Sequence, residues 1–231
     1  MHIRRISAIF EKDIKDFMKN MMLLMMPVIP IVLALLYDRM GGDEEVPIVL
    51  LYIIIGVTYS AVTSSTIMTM IAEENEKKTL RGLIQSPASM MDIIIGKSLV
   101  TGLITFVSLI VSLVILDIGP FLNFKAILGL LLLFLFFLFL GIGVGLFTKS
   151  IASTSFYIMP IMFLFGFTPM IQMLRLDENS IAIQIFDTFP IMQGIEIHDT
   201  TSWLPLGIIA IWLVAAAVFM YVCFKKTMTD D

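Results

Sequence analysis

Long apolar runs separated by short polar gaps set the reading of this chain. The first 20 residues are the exception. Ile3, Ile6, Phe10, Ile14 and Phe17 recur at spacings of three and four, with Arg4, Arg5, Glu11, Lys12, Lys15, Asp16 and Lys19 between them. One apolar stripe on a charged helix is the signature of a helix lying in the membrane interface. A soluble helix packed on a domain core would find little here to pack against, so residues 1–20 are expected to form an interfacial helix.

Residues 21–231 then carry six runs long enough for spans, at about 21–37, 48–71, 94–116, 126–147, 151–174 and 204–224. About 20 apolar residues cross a ~30 Å hydrocarbon layer. Pro27 and Pro30 predict a kink in the first span, because each removes a backbone donor. Pro160 predicts another in the fifth, and Pro169 an end to its regular part. The three-residue link Thr148–Ser150 predicts that the fourth and fifth spans form an antiparallel hairpin. Ile181–Phe189 is apolar but too short to cross and is followed by Pro190, so a re-entrant or interfacial helical hairpin is expected there.

Composition agrees with this pattern. Of 231 residues 58% are hydrophobic and 15% charged, and mean hydropathy is +0.98. Soluble domains carry about 25% charged residues. The fold class expected is all-α integral membrane. A formal net charge of −4 gives no hint of nucleic-acid binding. The lone Cys223 has no partner for an intrachain disulfide, and His2 and His198 build no zinc constellation with it.

The placing of charge says more than its sum. With the N-terminus inside, the inner segments hold Arg4, Arg5, Lys12, Lys15, Lys19, Lys77, Lys78, Arg81, Lys97, Lys149, Lys225 and Lys226. The outer ones hold only Arg39, Lys125 and Arg175. The positive-inside bias makes both termini cytoplasmic, in a multi-pass protein expected in the bacterial cytoplasmic membrane.

Enzyme signatures fail on their spacing. Gly96-Lys97-Ser98 resembles the end of a phosphate-binding loop, but the first glycine of that motif falls on Met91. Glu73-Glu74 resembles the glutamate pair of an intramembrane protease class, yet both histidines lie outside the spans. No ionisable residue falls in the middle of a span, which argues against ion-coupled transport. Any energy for uphill movement is expected to come from another subunit. No cofactor is expected on this chain.

The longest polar gap, 73–97, has a definite order. Glu73, Glu74 and Glu76 precede Lys77, Lys78 and Arg81, and acid-to-base pairs at this spacing support a helix. Leu80, Leu83 and Ile84 give that helix an apolar edge. Ser86 and Pro87 stop it and cap the next one. A short knuckle of this kind suits a groove on a soluble partner. The hydroxyls of the second span, Thr58, Thr63, Thr66 and Thr69 among them, read either as a path lining or as small residues that let helices pack closely. Gly141, Gly143 and Gly145 read as close helix packing.

Glu73, Glu74, Glu76, Thr79, Leu80, Ser86, Pro87, Ser89, Gly96 and Lys97 together resemble the block between the second and third spans of the type-2 ATP-binding-cassette (ABC-2) permease family. Lys78 stands where the commonest form of the block has glycine. The amphipathic N-terminal helix, six spans and outer hairpin with a Phe-Pro extend the resemblance over nearly the whole chain. It implies a non-catalytic permease that pairs with a second copy or close homologue. It also implies two separate cytoplasmic ATPase subunits that bind ATP and Mg. The segment containing Glu73, Glu74, Glu76, Lys77, Lys78, Thr79, Leu80, Arg81, Leu83, Ile84, Ser86 and Pro87 would be the coupling helix.

Most family members export, and 18 methionines with 18 phenylalanines suit a drug, a cytotoxic or antimicrobial peptide, or a lipid better than a polar polymer. Export of a lipid-linked polysaccharide is the alternative within the family. A membrane scaffold that docks a cytoplasmic regulator is the alternative outside it.

Overall fold

The computed structural model describes residues 3–41, 46–77, 90–174 and 181–229, and among these every regular element is helical. Helix α1 is Ile3–Lys19. Asn20 ends it and caps α2, Met21–Met25, by accepting from the amides of Met22 and Leu23. The chain turns at Met26 and Pro27 and continues as α3, Val28–Gly41. The kink thus falls at Pro27. Pro30 is accommodated in the first turn of α3, where its missing N–H would have had no helical partner.

Helix α4 runs unbroken over Ile48–Glu76, five residues past the expected end. Its extra turn is held by the Glu73–Lys77 ion pair and by Asn75, whose side chain donates to the carbonyls of Gly145 and Thr148 at 3.3 and 3.0 Å. Thr58–Ser64 within it is wound as a π-helix. Helix α5, Met90–Leu116, starts before the expected boundary and carries Asp92 in its first turn, where a carboxylate complements the helix dipole. Helix α6 is Phe124–Phe147, capped by Asn123.

Helix α7 is Ile151–Gly166 and falls short of the expected 151–174. Its last turn, after Pro160, is π-helical; a bend at Phe167 follows, and Thr168–Leu174 is 3₁₀. Pro169 disfavours the α conformation at Thr168, so the helix cannot carry through. Two short helices, α8 (Ile181–Asp187) and α9 (Pro190–Asp199), precede α10, Leu204–Thr229. Among the described residues, five helices are long and apolar enough to cross a membrane, and Ile151–Gly166 is shorter than the rest.

Helix α4 is the axis of the bundle. Its apolar window is 83% buried, against 17% for Met21–Met40 and 22% for α10. Helix α6 packs along α4 and α10, α7 along α4, and α5 along α1 and α3. The three-residue link reverses the chain between α6 and α7, but α7 lies mainly on α4 and not along α6. The glycines of α6 explain its close fit. A Cβ on Gly141 would come within 2.8 Å of the Ser64 backbone, and one on Gly145 within 3.1 Å of Met68, both on α4. One on Gly143 would lie 2.6 Å from the Phe219 ring of α10. Gly56 and Gly166 let α4 and α7 cross with backbone against backbone; a Cβ on Gly56 would stand 2.0 Å from the Gly166 carbonyl oxygen.

At the end of the bundle remote from α1, Phe165, Phe189, Phe136 and Trp212 form a ring cluster. Trp212 Nε1 donates to the Thr188 carbonyl at 2.7 Å. Beside it, His198 Nε2 lies 3.1 Å from the Tyr52 hydroxyl, with the imidazole edge-on to the rings of Tyr52 and Phe121. These contacts seat α9 on the bundle. Burial holds the His198 imidazole below its ordinary pKa; Asp199 opposes this and Lys125 reinforces it.

Candidate functional site

Four charges meet where α1, α4 and α5 converge. Helix α1 buries Ile6, Ile9, Asp13 and Phe17, a stripe at helical spacing in which one member is a carboxylate. Of the apolar stripe expected from Ile3, Ile6, Phe10, Ile14 and Phe17, Ile6 and Phe17 belong to this buried face. Ile3 is exposed, and Phe10 and Ile14 are only partly buried, beside Phe17, Leu23, Met70 and Val100. The buried face is centred on Ile9 and Asp13 because α5 offers a seat there. A Cβ on Gly96 would stand 2.6 Å from Ile9 Cγ2, so glycine is what lets α1 lie against α5.

The next residue, Lys97, is 3% exposed. Its Nζ lies 3.1 Å from Asp13 Oδ2 and 2.9 Å from Glu74 Oε1, on carboxylates that are 3% and 7% exposed. Lys12 closes the group from the rim, 3.1 Å from the same Glu74 oxygen and 3.6 Å from Asp13 Oδ1. Two bases thus face two acids at the junction of three helices, which limits the cost of burying them. Burial pushes the Asp13 carboxyl above its ordinary pKa against the pull of Lys97 and Lys12. Burial alone would lower Lys12, but Glu74 and Asp13 beside it hold it above its ordinary value. The cluster is an ionic tie in which each side chain needs the others. Removing one partner strands a charge in a low-dielectric site.

The remaining residues expected in the coupling segment divide in two. Glu73 pairs with Lys77 on the α4 surface. Glu76 accepts the Ile151 amide at 2.7 Å, so it ties the end of α4 to the start of α7. Lys78, Thr79, Leu80, Arg81, Leu83, Ile84, Ser86 and Pro87 lie outside the described residues. The second-span hydroxyls are all buried inside this one chain. Thr58 donates to the Ile54 carbonyl at 2.8 Å, and Thr63 and Thr105 share a 3.0 Å hydrogen bond. Thr66 and Thr69 make no hydrogen bond through Oγ1.

Sequence reading missed Lys12, Asp13 and Asn75 as site residues, and it gave Gly96 and Lys97 a place in the family resemblance and the charge count but no part in a site. One signal for Asp13 was present: it stands four residues after Ile9 and four before Phe17, on the apolar face where a charge is out of place. Nothing local marks Lys97 as its partner, 84 positions away.

Chemically, the arrangement holds three helices together through paired buried charges. Among the described residues no three His, Cys, Asp or Glu side chains are grouped to hold a metal ion. No curated protein matches the chain. Residues 44–224, from just before α4 to near the end of α10, match the family of ABC-2 family transporter proteins. Glu74 and Lys97 fall inside the matched region, and Lys12 and Asp13 in the helix that precedes it. The charged junction is therefore built from the membrane domain and its N-terminal helix together, and the chain belongs to the ABC-2 transporter family, as a multi-pass membrane permease.

Proposed function

We propose that this chain is the membrane subunit of an ABC exporter, working as a pair of copies on two separate ATPase subunits that bind ATP and Mg. The ATPase docks on the segment between α4 and α5, on the cytoplasmic side. Its stroke reaches the membrane helices through the Lys12–Asp13–Glu74–Lys97 tie. The observation that carries this reading is the position of that tie. It joins the last turns of α4, the first turns of α5 and the buried face of α1 at the two ends of the polar segment. Push or pull on the segment is then shared by three helices and not absorbed by bending of one, because paired buried charges resist separation. In this reading Ile151–Gly166 completes six spans with its 3₁₀ continuation.

The cargo is amphipathic or hydrophobic: a drug, a cytotoxic peptide or a lipid. The hydroxyls of α4 point into the bundle of a single copy. The exposed faces of α3 and α7 carry Val28, Val32, Leu36, Phe156, Met159 and Phe163 instead. A path between two copies lined by such faces suits an apolar cargo, and their Met and Phe side chains adapt to varied shapes.

Co-expression with the cognate ATPase tests the coupling. Substituting Leu80, Leu83 and Ile84 together by Asp is expected to abolish co-purification and to reduce permease-dependent ATP hydrolysis by at least tenfold. Unchanged assembly and turnover would refute the docking segment.

A further inference from the structure

Three successive residues in the last turn of α4 hold three different parts of the bundle. Glu74 belongs to the charged junction with α1 and α5. The Asn75 side chain donates through Nδ2 to the carbonyls of Gly145 and Thr148, where α6 ends. Glu76 Oε2 accepts the amide of Ile151, where α7 begins. Successive residues of a helix point about 100° apart, so a single turn reaches neighbours on three sides.

Asn75 and Glu76 bind groups that helices leave open. A helix has no internal partner for its last carbonyls or its first amides. A side-chain amide carries two N–H donors, one for each of the two carbonyls that Asn75 meets. Glu76 brings a carboxylate to the first amide of α7, where negative charge is favoured and the hydrogen bond is charge-assisted. In the same turn Ser150 Oγ accepts from the Ser153 amide. The link Thr148–Ser150 is thus gripped by α4 at its first residue and just past its last.

The other end of α7 is held to the same helix. Gly166 closes its π-helical turn directly against α4. A Cβ on Gly166 would stand 2.5 Å from Ser60 Oγ and 3.0 Å from the Gly56 carbonyl oxygen. Helix α7 therefore meets α4 through a carboxylate at its first residue and through backbone at its last. Between these two points Phe156, Met159 and Phe163 are exposed. A helix pinned at both ends to one neighbour follows that neighbour, because bending away would break one contact or the other.

We propose that Asn75 and Glu76 are positioning residues that make α7 travel with α4, so that a displacement of the polar segment moves the apolar face of α7. This rests on the permease reading above and divides its stroke in two. The Lys12–Asp13–Glu74–Lys97 tie serves α1 and α5. The Asn75–Glu76 tie serves the end of α6 and, through the Ile151 amide, the helix that carries Phe156, Met159 and Phe163.

An environment-sensitive label on each arm tests this division. In a Cys223→Ala chain, Phe156→Cys on α7 and Leu103→Cys on α5, both exposed positions, are separately labelled with a bimane fluorophore. The chain is co-purified with its cognate ATPase, and emission is compared between the nucleotide-free complex and the complex trapped with ADP and vanadate. Both labels should respond in the parent chain. Asn75→Leu with Glu76→Ala should cut the response at Phe156→Cys by roughly fivefold or more and spare that at Leu103→Cys. Glu76→Gln, which keeps an acceptor oxygen for the Ile151 amide, should retain both. Glu76 is exposed, so Glu76→Ala alone, with core packing untouched, should still weaken the response at Phe156→Cys. An undiminished response there in the double variant, or equal loss at both labels, would overturn the tie and leave the permease reading standing. Silence of both labels in the parent chain would instead overturn that reading, and the tie with it.

Discussion

Lys97 faces two carboxylates, and its removal leaves Asp13 with only the rim cation Lys12, which it must share with Glu74. Breaking a buried pair in this way typically costs about 3–5 kcal/mol. Lys97→Met should therefore lower the thermal midpoint of the purified protein strongly. Adding Asp13→Asn should recover much of the loss, because Lys12 and Glu74 then remain as a matched pair. The sum of the two single effects would exceed the double effect, and simple additivity in this cycle would show that the residues do not act as a unit. Gly96 sets the approach of α1 at the same place. Gly96→Leu drives a side chain into Ile9, at a cost of about 1–3 kcal/mol for overpacking. Trypsin should then release the N-terminal helix roughly tenfold or more faster. Ile9→Ala in the same chain should slow that release again, and no recovery would mean that the contact does not hold the helix.

At the scale of elements, α9 is seated on the bundle by a titratable ring. His198 is half-buried against Tyr52 and Phe121, with Asp199 and Lys125 the charged groups acting on it. Its pKa in the folded protein is lowered, so the unfolded chain binds the proton first as pH falls. The stability that the neutral ring contributes is complete above the ordinary value of about 6.5. It is lost as pH falls below that value toward the lowered one. Wild-type protein is therefore expected to lose thermal stability between pH 7.5 and 5.5 by more than a His198→Gln variant does. Equal slopes in the two proteins would remove the imidazole from the account. Helix α1 is an element whose existence was readable and whose partner was not. Its periodicity shows in the sequence, but its seat against α5 depends on Gly96, a residue 77 positions beyond the helix end.

For the whole molecule, an N-terminal helix docked on the start of α5 brings the first 20 residues and the polar segment to the same end of the bundle. From the charge count we propose that this end is cytoplasmic. A fluorescent reporter that matures only in the cytoplasm, fused after Asp231, is expected to be bright, and a dark fusion of normal abundance would overturn the orientation. Helix existence was legible along nearly all of the described chain, because apolar runs of span length and their Pro and Gly interruptions are local. Helix ends were less so. The extra turn of α4 rests on Asn75 reaching the α6–α7 link, and α7 stops short where its π-helical last turn ends at Gly166 and Pro169 follows. The candidate site was half legible. Glu73, Glu74 and Glu76 stood out as an acidic run, but three similar carboxylates take three different roles. Glu73 forms a surface pair with Lys77, Glu74 a buried tie, and Glu76 a link to the first amide of α7.

Composition, run length and the ordered block from Glu73 to Lys97 determined that this is a helical membrane protein of the ABC-2 family, since hydrophobic length and short-range spacing are properties of the chain itself. Only the tertiary structure decided that α4 is the bundle axis and that α6 serves two neighbours through alternate glycines. It also decided that Asp13, Glu74 and Lys97 share one buried junction. Those facts depend on which face of each helix meets which other helix. A charge on an apolar stripe reveals that a partner is needed; where that partner stands is set by packing between segments far apart in sequence.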